Sequence, residues 1–209
     1  MAISTYAELQ TAVNNWLVRD DLTTRVTEFI ALAENRIQQT IRVRAMETST
    51  TLAMVVSQKP YALPTDYLQF RRVYVDSTVK TRLEYRTPAS YWSIYTNLAD
   101  GSPSVFTIEG ENLLLGPPPD STDNLEFLYY KKLAAFSNGS DTNTLLTDAA
   151  GLYLYGALIE SAPFLGNDPR VLIWSQMWED LAERVNKADI TDRASGDVRA
   201  GWNPVKGSP

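Results

Sequence analysis

Leu146–Ala188, LTDAAGLYLYGALIESAPFLGNDPRVLIWSQMWEDLAERVNKA, carries the heaviest apolar load in the chain, and its reading decides the architecture. Two helices and a hairpin corner are predicted. Thr147 is placed as N-cap, with Asp148 in the first turn at the positive end of the helix dipole. From Leu152 to Ile159 the run LYLYGALI is apolar nearly all round, so this segment must be packed on several sides. Pro163 ends or weakens the helix, Gly166 tolerates positive φ, and Asp168-Pro169 supplies an N-cap followed by proline at N1. The second helix places Val171, Trp174, Met177, Trp178, Leu181 and Val185 on one stripe, with Glu179, Asp180, Glu183, Arg184 and Lys187 elsewhere.

A post this apolar needs partners, and the amino-terminal segment supplies them. Thr5-Tyr6-Ala7-Glu8 is a capping box opening a helix over residues 5–18, with Leu9, Ala12, Val13, Trp16 and Leu17 at helical spacing. A second helix is predicted from Leu22 or Thr23 to about Val43, with Val26, Phe29, Ile30, Ala33, Ile37 and Ile41 on one face. Its other face is polar: Glu34, Asn35, Arg36, Gln38, Gln39 and Arg42. After Arg44 the periodicity shortens to two. Strands are predicted at 48–55, 59–63, 70–75, 81–85, 105–109, 112–115 and 124–130. Glu109-Gly110-Glu111-Asn112 forms a hairpin turn, and Thr87-Pro88 starts a short helix through Tyr95. The expectation is a small sheet with one helix, followed by a polar loop at 134–145. The predicted class is therefore α+β. Residues 1–45 hold the N-terminal helices of a bundle, 46–133 a β-rich insert, 134–189 the helical hairpin completing the bundle, and 190–209 an extended arm. The arm has little apolar periodicity but contains Trp202, a lone aromatic anchor.

Composition restricts function sharply. The 209 residues include neither cysteine nor histidine, which removes disulfides, thiolate nucleophiles, imidazole bases and the usual zinc sites. No glycine-rich loop has the spacing of a nucleotide cradle, so no cofactor, metal or catalytic residue is expected. A net charge of −6 disfavours general phosphate binding. No apolar run is long enough to cross a bilayer, and no signal core follows the amino terminus; a soluble protein away from the membrane is expected. Glu109 and Glu126 are the carboxylates a wall-degrading enzyme would pair across a sheet. Phe127, Tyr129 and Tyr130 before Lys131-Lys132 superficially resemble a stacking platform for single strands, but at strand spacing they alternate between faces and read better as half-buried sheet.

The segments ISTYAELQTAVNNWLVRDDLTTRVTEFIALAENRIQQTIRVRAME, YALPTDYLQFRRV, RLEYRTPASYW, LEFLYYKKLAAFS and LYLYGALIESAPFLGNDPRVLIWSQMWEDLAERVNKAD, in this order, resemble the head-to-tail adaptor proteins of tailed bacteriophages. The resemblance runs from about Ile3 to Asp189. It implies a structural virion protein, made in the host cytoplasm: a ring of twelve subunits beneath the capsid portal, joined to a downstream tail or nozzle protein. DNA would pass through the channel without sequence-specific binding. It also implies a β-rich portion engaging the next tail component and a C-terminal arm on the portal, for which Arg199, Trp202, Asn203, Pro204 and Val205 are the candidates. Glu34, Arg36, Gln38, Arg42, Glu179, Glu183, Arg184 and Lys187 are the candidate subunit-interface residues, where mixed charge would set register. The alternatives are another neck, tail-tube or stopper component and, from a different class, the carboxylate enzyme.

Overall fold

Thr5 opens the chain's first helix as a capping box. Its hydroxyl accepts from the Glu8 amide at 3.3 Å while the Glu8 carboxylate accepts from the Thr5 amide at 3.1 Å. The computed structural model describes residues 3–96, 99–166 and 168–194, with side chains to 191. It contains helices α1 (Tyr6–Leu17), α2 (Val26–Thr40), α3 (Pro88–Tyr95), α4 (Thr144–Asp148), α5 (Ala150–Glu160), α6 (Ala162–Leu165) and α7 (Arg170–Ala194). The strands are β1 (Glu47–Ala53), β2 (Pro60–Ala62), β3 (Tyr67–Asp76), β4 (Thr81–Arg82), β5 (Glu84–Tyr85), β6 (Val105–Glu109), β7 (Asn112–Gly116) and β8 (Asn124–Lys131). This is an α+β fold. The chain divides into two compact units: residues 1–45 together with the chain from 134 onward, and residues 46–133.

In the helical unit α5 is the central post, touching α1, α2, α4, α6 and α7. Leu152, Tyr153, Leu154, Ala157 and Leu158 are all buried. Gly156 permits the close approach to α2, because a Cβ there would lie 2.9 Å from the Ala33 Cβ. The predicted start of this helix needs correction. Asn143, not Thr147, is the N-cap: its Oδ1 accepts from the Leu146 amide at 2.7 Å and starts α4. Thr147 lies inside that short helix, its hydroxyl donating back to the Asn143 carbonyl. Ala149 (φ −141°, ψ 51°) then breaks the path before α5. α2 stops at Thr40, short of Val43, because Ile41 is extended (φ −93°, ψ 133°) while its side chain is fully buried.

The loop before α4 is less polar in its role than in its composition. Asp141 and Gly139 carbonyls accept from the Tyr6 and Ala7 amides, each at 2.9 Å, satisfying free donors of α1. Phe136 stacks on Tyr6 and meets Tyr153 at a tilt, with both ring centroids 5.3 Å away. At the corner Gly166 has φ 64°, and the Asp168 side chain accepts from the Arg170 amide at 2.9 Å to start α7. α7 has 25 residues and reaches Ala194, so 190–194, expected in the arm, are helical.

The middle unit holds two four-stranded sheets, ordered β1-β8-β3-β4 and β2-β7-β6-β5, where one small sheet was expected. The stretch 81–85, read as one strand, is the reason. β4 pairs antiparallel with β3, β5 pairs parallel with β6, and buried Leu83 between them carries the chain from one sheet to the other. Val73, Val75, Phe106, Leu113, Leu115, Leu125 and Phe127 form the main apolar cluster. α3 begins at Thr87, whose hydroxyl accepts from the Ser90 amide, and seats on β7 at Gly116, where a Cβ would be 2.9 Å from the rings of Tyr91 and Tyr95. The Tyr91 hydroxyl donates to the Leu115 carbonyl at 2.7 Å.

Candidate interaction surfaces

The polar face of α2 was predicted to meet a neighbouring subunit. Most of it is spent inside its own unit. Glu34 is buried, and its Oε1 accepts from the Phe136 amide at 2.9 Å; burial pushes this carboxyl above its ordinary range, and that hydrogen bond only partly opposes the shift. Arg36 directs Nε and Nη2 onto Glu160 Oε1 (2.9 and 2.5 Å), and its guanidinium lies 5.5 Å from the Trp178 ring centroid. Arg42 Nη1 donates to the Gln38 and Ile41 carbonyls, and Asn186 joins the same helix end through the Arg42 amide and the Thr40 carbonyl. These groups cap α2 and tie it to α5 and α7. Gln38 is half-buried between them in sequence. The cause is the close α2–α5 approach at Gly156, which draws this flank of the helix inward.

α7 behaves differently. Its inner side is Trp174, Trp178 and Ala182, with the Trp178 indole donating to the Leu152 carbonyl at 3.1 Å and the Arg170 guanidinium 5.2 Å from the Trp174 ring. Its outer side begins with exposed Leu172, Ile173 and Met177; Met177 was expected on the inner stripe. The following turns present exposed Glu179, Asp180, Glu183, Arg184 and Lys187. Glu183 pairs with Lys187 at 2.5 Å, which holds its carboxyl below the usual range, and Asp180 approaches Arg184 at 3.9 Å. Exposed pairs of this kind contribute little to stability, which leaves this face available for recognition. Leu172 is 72 % accessible and has exposed Ile173 beside it in the chain, so the two side chains put adjacent apolar surface on this helix. An open depression of about 440 Å³ lies at the other end of α7, lined by Val43, Leu145, Val185, Ala188, Asp148 and Asp189. Arg199, Trp202, Asn203, Pro204 and Val205 lie outside the described residues.

In the β unit the chain enters and leaves at one end of the first sheet, where Glu47 pairs with Tyr130. Exposed Val55, Val56 and Val79 occupy the loops following β1 and β3 at the opposite end. The valine loop is braced: the Ser57 amide donates to the Pro119 carbonyl at 2.9 Å, its hydroxyl to Asp100, and the Val55 amide to the Tyr61 hydroxyl at 3.1 Å.

The chemical alternatives do not assemble. Glu109 accepts from the Trp92 indole in one sheet, while Glu126 is held by Lys80 in the other, so they are not a facing carboxylate pair. Phe127, Tyr129 and Tyr130 are buried; the Tyr129 hydroxyl donates to Asp66 and is pushed up to about 12 by burial and that carboxylate. Among the described residues no group of three or more acidic, histidine or cysteine side chains is placed to hold a metal, and no helix is long and apolar enough to cross a membrane.

A helical unit with one charged and apolar outer helix face is joined through two chain crossings to a double-sheet unit. The SU10 adaptor protein family model matches residues 4–201. The chain belongs to the SU10 adaptor family. Curated protein sequences gave no match. As an SU10 adaptor the protein is a phage structural adaptor, a virion component that contacts other virion proteins. The match spans both units, so the adaptor comprises the helical scaffold and the β insert together. Within this adaptor the sequence pattern missed the inward turn of Glu34 and Arg36, for which Gly156 opposite Ala33 was the available signal.

Proposed function

We propose that this adaptor forms a ring beneath the capsid portal, joins the portal to the tail, and leaves a channel for genome packaging, retention and ejection. The observation that carries the reading is the outer face of α7, where exposed Leu172, Ile173 and Met177 precede a charged run. In a ring each subunit offers two different surfaces, and a rotation that closes makes the assembly finite. The apolar turns would provide the contact and Glu179, Glu183, Arg184 and Lys187 its register. Twelve copies is the number proposed. The segment Arg199, Trp202, Asn203, Pro204 and Val205 is proposed to dock on the portal, and the valine-tipped end of the β unit to engage the next tail or nozzle protein. A net charge of −6 on every subunit gives the channel wall a sign that repels passing phosphate.

Electron microscopy of the full chain mixed with its portal tests this. Rings stacked on the portal are expected; a monomer that ignores the portal overturns the reading. Leu172→Asp with Ile173→Asp should abolish the ring while melting stays unchanged. Deleting 196–209 should abolish portal binding but leave melting and ring closure intact.

A further inference from the structure

One strand edge in the β unit is left open. β1 is the first strand of its sheet and pairs only with β8, in unbroken register from Glu47↔Tyr130 to Ala53↔Asn124. The Met54 amide donates to the Asp123 carbonyl at 3.0 Å. Antiparallel pairing alternates residue by residue, so Thr48, Thr50 and Leu52 also direct their main-chain groups at β8, while Ser49, Thr51 and Ala53 direct theirs away. Among the described residues the outward amides and carbonyls of these three have no hydrogen-bond partner. Their side chains are exposed as well.

Sheet edges are normally protected by brevity, proline, lysine or a bulge, since a row of free donors and acceptors pairs with any strand that reaches it. The other three edges here follow that rule. β4 and β5 have two residues each, and β2 has three and begins with Pro60. β1 has seven residues, ETSTTLA, with no proline, lysine, arginine or register shift.

The same strand is also complementary to itself. We propose that the free edge of β1 pairs antiparallel with β1 of a second copy, about a twofold axis centred on Thr50, joining two four-stranded sheets into one. This register overlaps the whole strand and keeps the hydrogen-bonding residues in phase: Ser49 faces Thr51 of the second copy and Thr51 faces its Ser49. Thr50 meets Thr50 of the second copy at a close, non-hydrogen-bonded position, where Thr–Thr pairs are favourable. Glu47 meets Ala53 of the second copy, so no like charges oppose. Leu52, packed on the main apolar cluster, gains Thr48 of the second copy as cover. A twofold pair points its subunits in opposite directions, so this contact is separate from the head-to-tail contacts of a ring and does not rest on them.

The chain contains no cysteine, which gives a clean test. Full-length Thr50→Cys, oxidised under mild conditions, should form a disulfide-linked dimer. Thr48→Cys and Leu52→Cys should each form no disulfide alone and cross-link when mixed. Ser77→Cys, on an exposed loop, is the collision control. Thr51→Pro removes an outward amide without touching the β8 ladder and should lose the concentration-dependent dimer seen by sedimentation while keeping its melting temperature. If that variant folds poorly, Ser49→Lys with Thr51→Lys serves the same purpose. The proposal is overturned if Thr50→Cys fails to cross-link, or cross-links no faster than Ser77→Cys. It is equally overturned if the Ser49 and Thr51 amides gain hydrogen-exchange protection only when a different virion protein is added, since the occupant is then that protein's strand.

Discussion

The two units solve the same burial problem with different chemistry. In the helical unit polar groups run through the interior: Glu34 on the Phe136 amide, Arg36 on Glu160, Trp178 on the Leu152 carbonyl, Asn143 on Tyr153. In the β unit the main cluster is built from Val73, Val75, Leu113, Leu115, Leu125 and Phe127, and its two buried tyrosines, Tyr61 and Tyr129, send their hydroxyls to the Val55 carbonyl and to Asp66. Strands satisfy their main chain sideways, so a sheet interior can be wholly apolar. Helices leave free donors and acceptors at each end, and short helices such as α4 and α6 multiply those ends. Polar side chains are therefore recruited inward wherever helices meet. A polar residue on a predicted helix face is for that reason ambiguous between surface and cap, whereas a polar residue on a strand face is much less so.

The largest test sets one core against the other. Trp178→Ala and Phe127→Ala should each cost about 3–5 kcal/mol in urea unfolding. Trp178→Phe should still cost about 1–3 kcal/mol because the Leu152 carbonyl loses its buried donor, while Phe127→Leu should cost under about 1.5 kcal/mol. Equal losses for the two conservative changes would break the contrast.

Glu34 sharpens it. Its carboxyl is raised in the folded protein, so the folded state holds that proton more tightly than the unfolded chain. The contribution is most favourable at low pH and is lost as pH rises from the ordinary glutamate value through the raised folded one. Glu34→Gln keeps an acceptor for the Phe136 amide and should remove that decline, seen as a variant-minus-parent stability difference that rises through the window and levels off above it. Glu34→Ala leaves the amide unpaired and should cost about 1–3 kcal/mol at every pH. A Glu34→Gln profile parallel to the parent's would sink this account.

Whereas the buried hydroxyls of Tyr91 and Tyr129 in the β unit are paired, fully buried Thr107 has a hydroxyl with no partner among the described residues. Thr107→Val should stabilise by about 1 kcal/mol in the same unfolding assay. The smallest effect belongs to the outer face of α7: Glu183→Gln should leave the unfolding midpoint unchanged, because its pair with Lys187 is exposed. A clear drop in the midpoint would mean that this face is structural.

Much of the fold was legible because local rules and tertiary packing agreed. The Thr5–Glu8 capping box, the Thr87-Pro88 start, the Gly110 turn at φ 59°, the Asp168 cap and the burial of most of Leu152–Ile159, with Tyr155 and Ile159 only half-buried, each need only a few neighbouring residues. Local rules failed where two signals competed. Thr147 and Asn143 are both good N-caps, and the burial of Leu145 and Leu146 decided for the earlier one. The run at 81–85 has one periodicity but two partners, and only the pairing of β4 with β3 and β5 with β6 splits it. Of the candidate interface, Glu179, Glu183, Arg184 and Lys187 are exposed as expected of a surface, while Glu34, Arg36 and Arg42 are engaged inside the helical unit.

By itself the sequence determined the α+β class, the order of the longer helices and strands, and the absence of cysteine and histidine chemistry, because periodicity, capping and composition are properties of short windows. Only the tertiary structure decided that the strands form two sheets, that Glu34, Arg36 and Arg42 on a polar helix face are engaged within their own unit, and that β1 has an open edge among the described residues. Those depend on which distant segments meet, and Ala33 meets Gly156 across more than a hundred intervening residues.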